Sequence, residues 1–201
     1  MPGEPQGSFG SSGTWTPKNK SRSTALADLY TLPHRLDRDA LTVRAIVETP
    51  AGRRTKYNYD RESGLFELHD VLPGGMAFPL AFGFVPGTVA EDGDPVDIVV
   101  LADEALPVGC IATVRLLGVI EACQTERDGT QNRNDRLIGR IVKTRIYADM
   151  NDLDCLGRAM VGELTAFFET YNRLKGKDFD VRAISDPARA CALIEQAAAD
   201  S

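Results

Sequence analysis

The chain has 201 residues, of which 43% are hydrophobic and 26% charged, and its formal net charge is −6. That length suffices for one sizeable domain burying roughly 70% of its unfolded surface, and no apolar run approaches the ~20 residues that cross a bilayer. The N-terminus lacks an apolar signal region and the acidic balance opposes a nucleic-acid face, so a cytoplasmic protein with no nucleic-acid or membrane partner is expected; an anionic small substrate stays open, because local cations can reverse the field.

Residues 1–23 are rich in Gly, Ser, Pro and Lys without periodicity, and Trp15, the only tryptophan, lies among them; they read as a disordered arm ahead of a single domain over 24–201. Residues 24–40 fit a short helical turn and a connector. Short strands then follow, from Leu41 to Glu48, Thr55 to Tyr59 and Leu65 to Leu68, with turns at 50–54 and 60–64 between them. Pro73-Gly74-Gly75 breaks the chain, and the aromatic stretch from Phe78 to Pro86 reads as a buried loop. Val96 to Leu101, Cys110 to Ile120 and Leu137 to Lys143 are three more strands, with a polar loop from Gln124 to Asn134 between the last two. Many short strands in antiparallel order suggest a barrel. The period then turns helical: Leu153, Leu156, Met160, Leu164, Phe167, Phe168, Tyr171 and Leu174 share one face, with Asp152 as N-cap and Gly176 as stop. Phe179 to Ile184 is a strand, and Asp186-Pro187 opens a second helix through Ala199. The architecture expected is α+β: a small closed antiparallel β-barrel flanked by two C-terminal helices.

The chemistry concentrates in Asp92-Gly93-Asp94-Pro95-Val96-Asp97. Three aspartates this close repel one another, and desolvation adds to the penalty; a bound cation relieves both. The donors are oxygen alone, which suits a hard ion such as magnesium, manganese or calcium. Asp97 lies inside an apolar run, where an unpaired carboxylate is disfavoured. The spacing fails the EF-hand loop. The four cysteines, at 110, 123, 155 and 191, lack zinc-finger spacing and read as free thiols, and the two histidines, His34 and His69, are far apart in sequence.

The segment Asp92 to Asp97 resembles the metal-binding motif of the soluble family I inorganic pyrophosphatases. Supporting segments match in order: Val47-Glu48-Thr49-Pro50 with Lys56-Tyr57, Phe82-Gly83-Phe84-Val85-Pro86, Arg115-Leu116-Leu117-Gly118-Val119, Phe167-Phe168-Glu169-Thr170-Tyr171 and Lys175-Gly176-Lys177. The resemblance spans about Leu41 to Ala190 and implies a small OB-like barrel with flanking helices, magnesium-dependent (or manganese-dependent) hydrolysis of inorganic diphosphate to two phosphates, and a homo-oligomer. In that chemistry, metal ions neutralise a compact tetra-anion and acidify the attacking water. Carried over by position, Asp92 and Asp97 would be metal ligands, and Asp94 would accept the proton of the attacking water or orient the metal-bound hydroxide. Glu48 would stand just behind them, and Lys56, Tyr171 and Arg136 would hold phosphate oxygens.

This chain departs from the family pattern at several positions. Asp70 stands where a substrate-binding arginine is expected and would repel the substrate. Phe78 and Phe82 replace tyrosines, Asn172 a lysine, Gln124 and Asn134 two acids, and Arg136 a lysine with its charge kept. Asp135 lies one residue from the expected acid, and in extended chain a one-residue slip turns a side chain to the other face; a locally different register would let it serve as a metal ligand. Two readings follow: a metal-dependent diphosphatase with a thinned substrate shell, and a catalytically weak or inactive binding or scaffold protein of the same fold. The retained Asp92, Asp94, Asp97, Lys56 and Tyr171 favour the enzyme.

Overall fold

A computed structural model describes residues 28–199; the expected arm over 1–23, with Trp15, lies outside the described residues. The chain enters through a short 3-10 turn, Leu29–Thr31, capped by the Asp28 side chain. Nine strands and three helices follow: β1 (Thr42–Thr49), β2 (Thr55–Asp60), β3 (Leu65–Val71), β4 (Ala81–Phe84), β5 (Asp97–Leu101), β6 (Ile111–Thr125), β7 (Gln131–Arg133), β8 (Arg136–Ile141), α1 (Leu153–Leu156), α2 (Arg158–Leu174), β9 (Asp178–Ser185) and α3 (Pro187–Ala199).

Strands β1, β4, β5, β8 and β6 pair in that order, and β6 pairs back to β1, so five strands close a ring. Closure leaves no open edge within the ring. All of its pairs are antiparallel except β5–β8, a departure from the all-antiparallel expectation: β5 and β8 are far apart in sequence, and the long β6 crosses back between them. β7 and β9 extend β6, while β2 and β3 form a separate two-stranded ribbon.

Two stretches expected as loops hold strands. Residues Ala81–Phe84 form β4, which Gly83 makes possible: a Cβ there would drive into the Ile46 carbonyl of β1. The stretch Gln124 to Asn134 is mostly a hairpin of β6 and β7. The first expected helix is broken at Gly157, whose φ of 85° separates α1 from α2. The predicted caps hold, with Asp152 accepting from Cys155 N (2.8 Å) and Asp186 from Arg189 N (2.8 Å).

β5 shows how the core is divided. Ile98 and Val100 pack with Leu193, Ile194 and Ala197 of α3, whereas Val99 and Leu101 pack with Leu164, Phe168 and Tyr171 of α2. Alternate residues point to opposite faces, so a continuous apolar run is buried on both sides. The acidic turn is thereby anchored to a strand buried on both faces.

Candidate functional site

The acidic turn is fixed by its own backbone. Ala90 N donates to Asp94 O (2.7 Å) and Gly93 N to Ala90 O (3.0 Å), while Gly93 adopts φ 87°, a region a side chain disfavours. Buried Thr88 ties the turn to β4 by accepting from Val96 N (3.0 Å) and donating to Val85 O (2.6 Å). Asp97 opens β5 opposite Phe84. Asp92, Asp94 and Asp97 thus reach one cavity of roughly 300 Å³, with Glu48 from β1 on its wall.

This end of the cavity is short of compensating contacts. Burial pushes the Glu48 carboxyl from its ordinary 4.5 up to about 7, against the Tyr59 N–H that donates to it at 3.0 Å. Burial, and then the charge of Asp92, raise Asp94, and no described residue donates a hydrogen bond to its carboxylate. Burial raises Asp97 too, although Arg136 sits 2.6 Å away. Among the described residues no three acids, histidines or cysteines are drawn together as a ready cage, as like charges without a counterion require. Yet the donor set, all oxygen and electrostatically strained, fits a hard divalent cation.

The opposite end is basic. Lys56 projects from β2 with its ammonium 5.7 Å from the Phe82 ring centre. Lys175 and Lys177 follow α2 and line the same cavity. Both are already paired, Lys175 with Asp70 (2.7 Å) and Lys177 with Glu126 (2.7 Å). Tyr171 has a buried hydroxyl beside the Lys175 ammonium without a well-directed hydrogen bond. Arg136 is buried at the start of β8, its guanidinium 5.3–5.8 Å from the ring centres of Phe179, Phe168 and Phe82. From Asp97 a polar chain runs through Arg136 and Asn134 to Gln124 and Glu126, each side chain bonded to the next. The two amides in place of acids are therefore satisfied within the protein.

Two expected residues are placed differently. Asp135 does not line this cavity: its carboxylate accepts from Ala122 N (3.0 Å) and Arg133 Nε (2.5 Å), and it lines a smaller, adjoining cavity of roughly 180 Å³ that Asp92 and Asp97 also line. Arg136 takes the cavity side, so its extended neighbour points away, as pleat alternation dictates. Asp70 does not repel an incoming anion from the cavity wall, because its ion pair with Lys175 draws it aside. Phe78 and Phe82, in place of hydroxyls, pack instead with Phe167, Phe168 and Tyr171 at ring separations of 5.2–6.0 Å.

Sequence reasoning did not single out several lining residues, among them Tyr30, Asn58, His69, Glu126, Lys175 and Lys177. Asn58 lies two residues beyond Lys56 on β2, on the same face, and its Oδ1 is buried without a partner; strand alternation could have found it. Lys175 and Lys177 lie in a segment that supports the resemblance, but their charge alone did not mark them as cavity residues. His69 reaches the cavity through an irregularity of β3 that the sequence does not display.

Carboxylates and ammonium groups thus line one cavity, an arrangement suited to a polyanion bound with a cation, and comparison with known proteins gives the family. Residues 45–201 match the family model described as inorganic pyrophosphatase. The chain is 33% identical over 154 residues to the inorganic pyrophosphatase of Halalkalibacterium halodurans, covering 77% of this chain and 91% of that protein. It is 34% identical over 152 residues to that of Thermus thermophilus, covering 76% and 83%. The crystal structure of the Thermus thermophilus enzyme superposes with a TM-score of 0.78 at 31% identity, over 87% of this chain and 98% of that one. The chain belongs to the family I inorganic pyrophosphatases.

Proposed function

We propose that the cavity between the acidic turn and Lys56 is the diphosphate site, and that Asp92 and Asp97 hold a divalent cation there, magnesium first and manganese second. Members of this family hydrolyse inorganic diphosphate to two phosphates and depend on metal, and this chain is such a hydrolase. When bound, the cation supplies charge neutralisation and a more acidic water. Asp94 would accept the attacking water's proton: its carboxylate is free of hydrogen bonds and its basicity is raised by burial. Lys56, Lys175, Lys177 and Tyr171 grip phosphate oxygens, which obliges the two lysines to loosen from Asp70 and Glu126. Arg136 keeps Asp97 in place and adds positive charge to the wall. Glu48 stands behind the ligands and sets their field.

The observation that carries this reading is the unpartnered Asp94 carboxylate facing Lys56 across one cavity. The relatives do not favour a merely binding or scaffold protein. A homo-oligomer and a cytoplasmic setting belong to the same proposal. Leu65, Leu68 and Val71 stand exposed along β3, apolar surface that a second copy would cover. No helix among the described residues is long and apolar enough to cross a membrane. Phosphate release from inorganic diphosphate tests the assignment. Turnover with magnesium and none with chelator is expected; equal release in both would contradict it.

A further inference from the structure

The β2–β3 ribbon carries one irregularity, and it falls beside the cavity. Lys56 pairs with Asp70 and Tyr57 with Leu68, so His69 is the additional residue on β3. A bulge bends a strand and re-aims a side chain, and bulges gather next to active sites. Asp70 turns aside to Lys175 (2.7 Å) and to Val71 N (2.7 Å). The ring of His69, not Asp70, therefore lines the cavity. No described residue hydrogen-bonds either of its ring nitrogens. His34, by contrast, accepts a hydrogen bond from Leu36 N at Nδ1 (3.0 Å).

We propose that His69 is a substrate-binding residue whose imidazole N–H donates to the diphosphate oxygens held by Lys56, filling the place of the cationic clamp that position 70 lacks. The proposal rests on the cavity being the diphosphate site. The groups facing the ring are Lys56 from β2, Asp70 on β3, Lys175 and Lys177 after α2, and Asp94 in the acidic turn. Partial burial, then Lys56 and Lys175, lower the imidazole's affinity for a proton in the free enzyme, with Asp70 acting the other way. A bound polyanion reverses the balance and favours the protonated ring. Binding at His69 is thus accompanied by proton uptake, and its contribution to affinity grows as pH falls.

The test uses the full chain with magnesium and methylenediphosphonate, a diphosphate analogue that is not hydrolysed. The sequence has two histidines, so the imidazole resonances are few and assignable with a His34→Gln control. Saturation with the diphosphonate is expected to shift the His69 signals and raise their titration midpoint while His34 stays put. His69→Ala should weaken binding by about tenfold, the scale of one hydrogen bond to a charged group, with a flatter pH dependence than wild type. His69→Lys should recover most of that affinity at neutral pH, which a merely structural role would not allow. Diphosphonate binding that leaves the His69 resonances and midpoint unmoved, or binding by His69→Ala equal to wild type at every pH, would overturn the proposal alone. No diphosphonate binding by wild type would overturn the cavity assignment and this proposal with it.

Discussion

The two ends of the cavity differ in how their charges are settled. At the acidic end Glu48, Asp94 and Asp97 stand on or beside the closed ring, and burial raises all three carboxyls. At the basic end, Lys175 and Lys177 come from the segment after α2 and are neutralised by Asp70 and Glu126. The rigid end is left electrostatically unfinished, whereas the two tethered lysines each hold an internal partner. On the proposed reading, the ring supplies position and a bound cation supplies charge, while the other end exchanges internal partners for the substrate's oxygens.

The strongest way to break this picture is to remove Asp94, whose carboxylate alone among those lining the cavity has no hydrogen bond or ion pair from a described residue. Asp94→Asn is expected to lower kcat by about 10²–10⁴-fold, the range for a lost general base, with the fold intact by circular dichroism; near-wild-type kcat would place the proton acceptor elsewhere. Next in size is Arg136→Met, which strands Asp97 without its buried counterion (2.6 Å). A loss of about 3–5 kcal/mol in denaturant unfolding is expected, and magnesium should restore a share of it by taking over the compensation.

The pH dependence of the metal-free protein sharpens the comparison. The folded Glu48 carboxyl lies at about 7 against an ordinary 4.5. A raised folded value means that the protonated form favours folding. Its contribution is fully present below pH 4.5 and is lost as pH rises through about 7, on the order of 3 kcal/mol. Glu48→Gln should flatten that decline, and magnesium should stabilise the wild type more at alkaline than at acid pH. The smallest effect is expected at Asp135. Asp135→Asn should leave magnesium affinity unchanged and reduce stability by about 1 kcal/mol, because its partners are Arg133 and the Ala122 amide.

The sequence displayed the rigid end better than the tethered one. The Asp92–Asp97 spacing, the apolar run after it and the caps at Asp152 and Asp186 are local signals, and each appears in the structure where it was expected. The closed ring also followed from strand count and turn spacing. What escaped depends on pairing between distant segments. The parallel β5–β8 neighbours, the Gly83 contact that makes β4 a strand and the hairpin of β6 with β7 are all tertiary. So are the Asp70–Lys175 pair, which turns an apparent repulsion into an internal tie, and the bulge that brings His69 forward. The Asp135 outcome was half legible: alternation along the chain pointed it away from the cavity, and only the neighbouring Arg136–Asp97 pair fixed which face is which.

The most direct test is a calorimetric magnesium titration of the full chain beside Asp92→Asn/Asp94→Asn, in buffers of different ionisation heat at neutral pH. Wild type should take up magnesium saturably with release of protons from the raised carboxyls, and the double variant should lose both the uptake and the proton release. Wild-type protein that binds no magnesium, or a variant whose uptake and proton release match it, would contradict the claim that the acidic end is completed by a divalent cation.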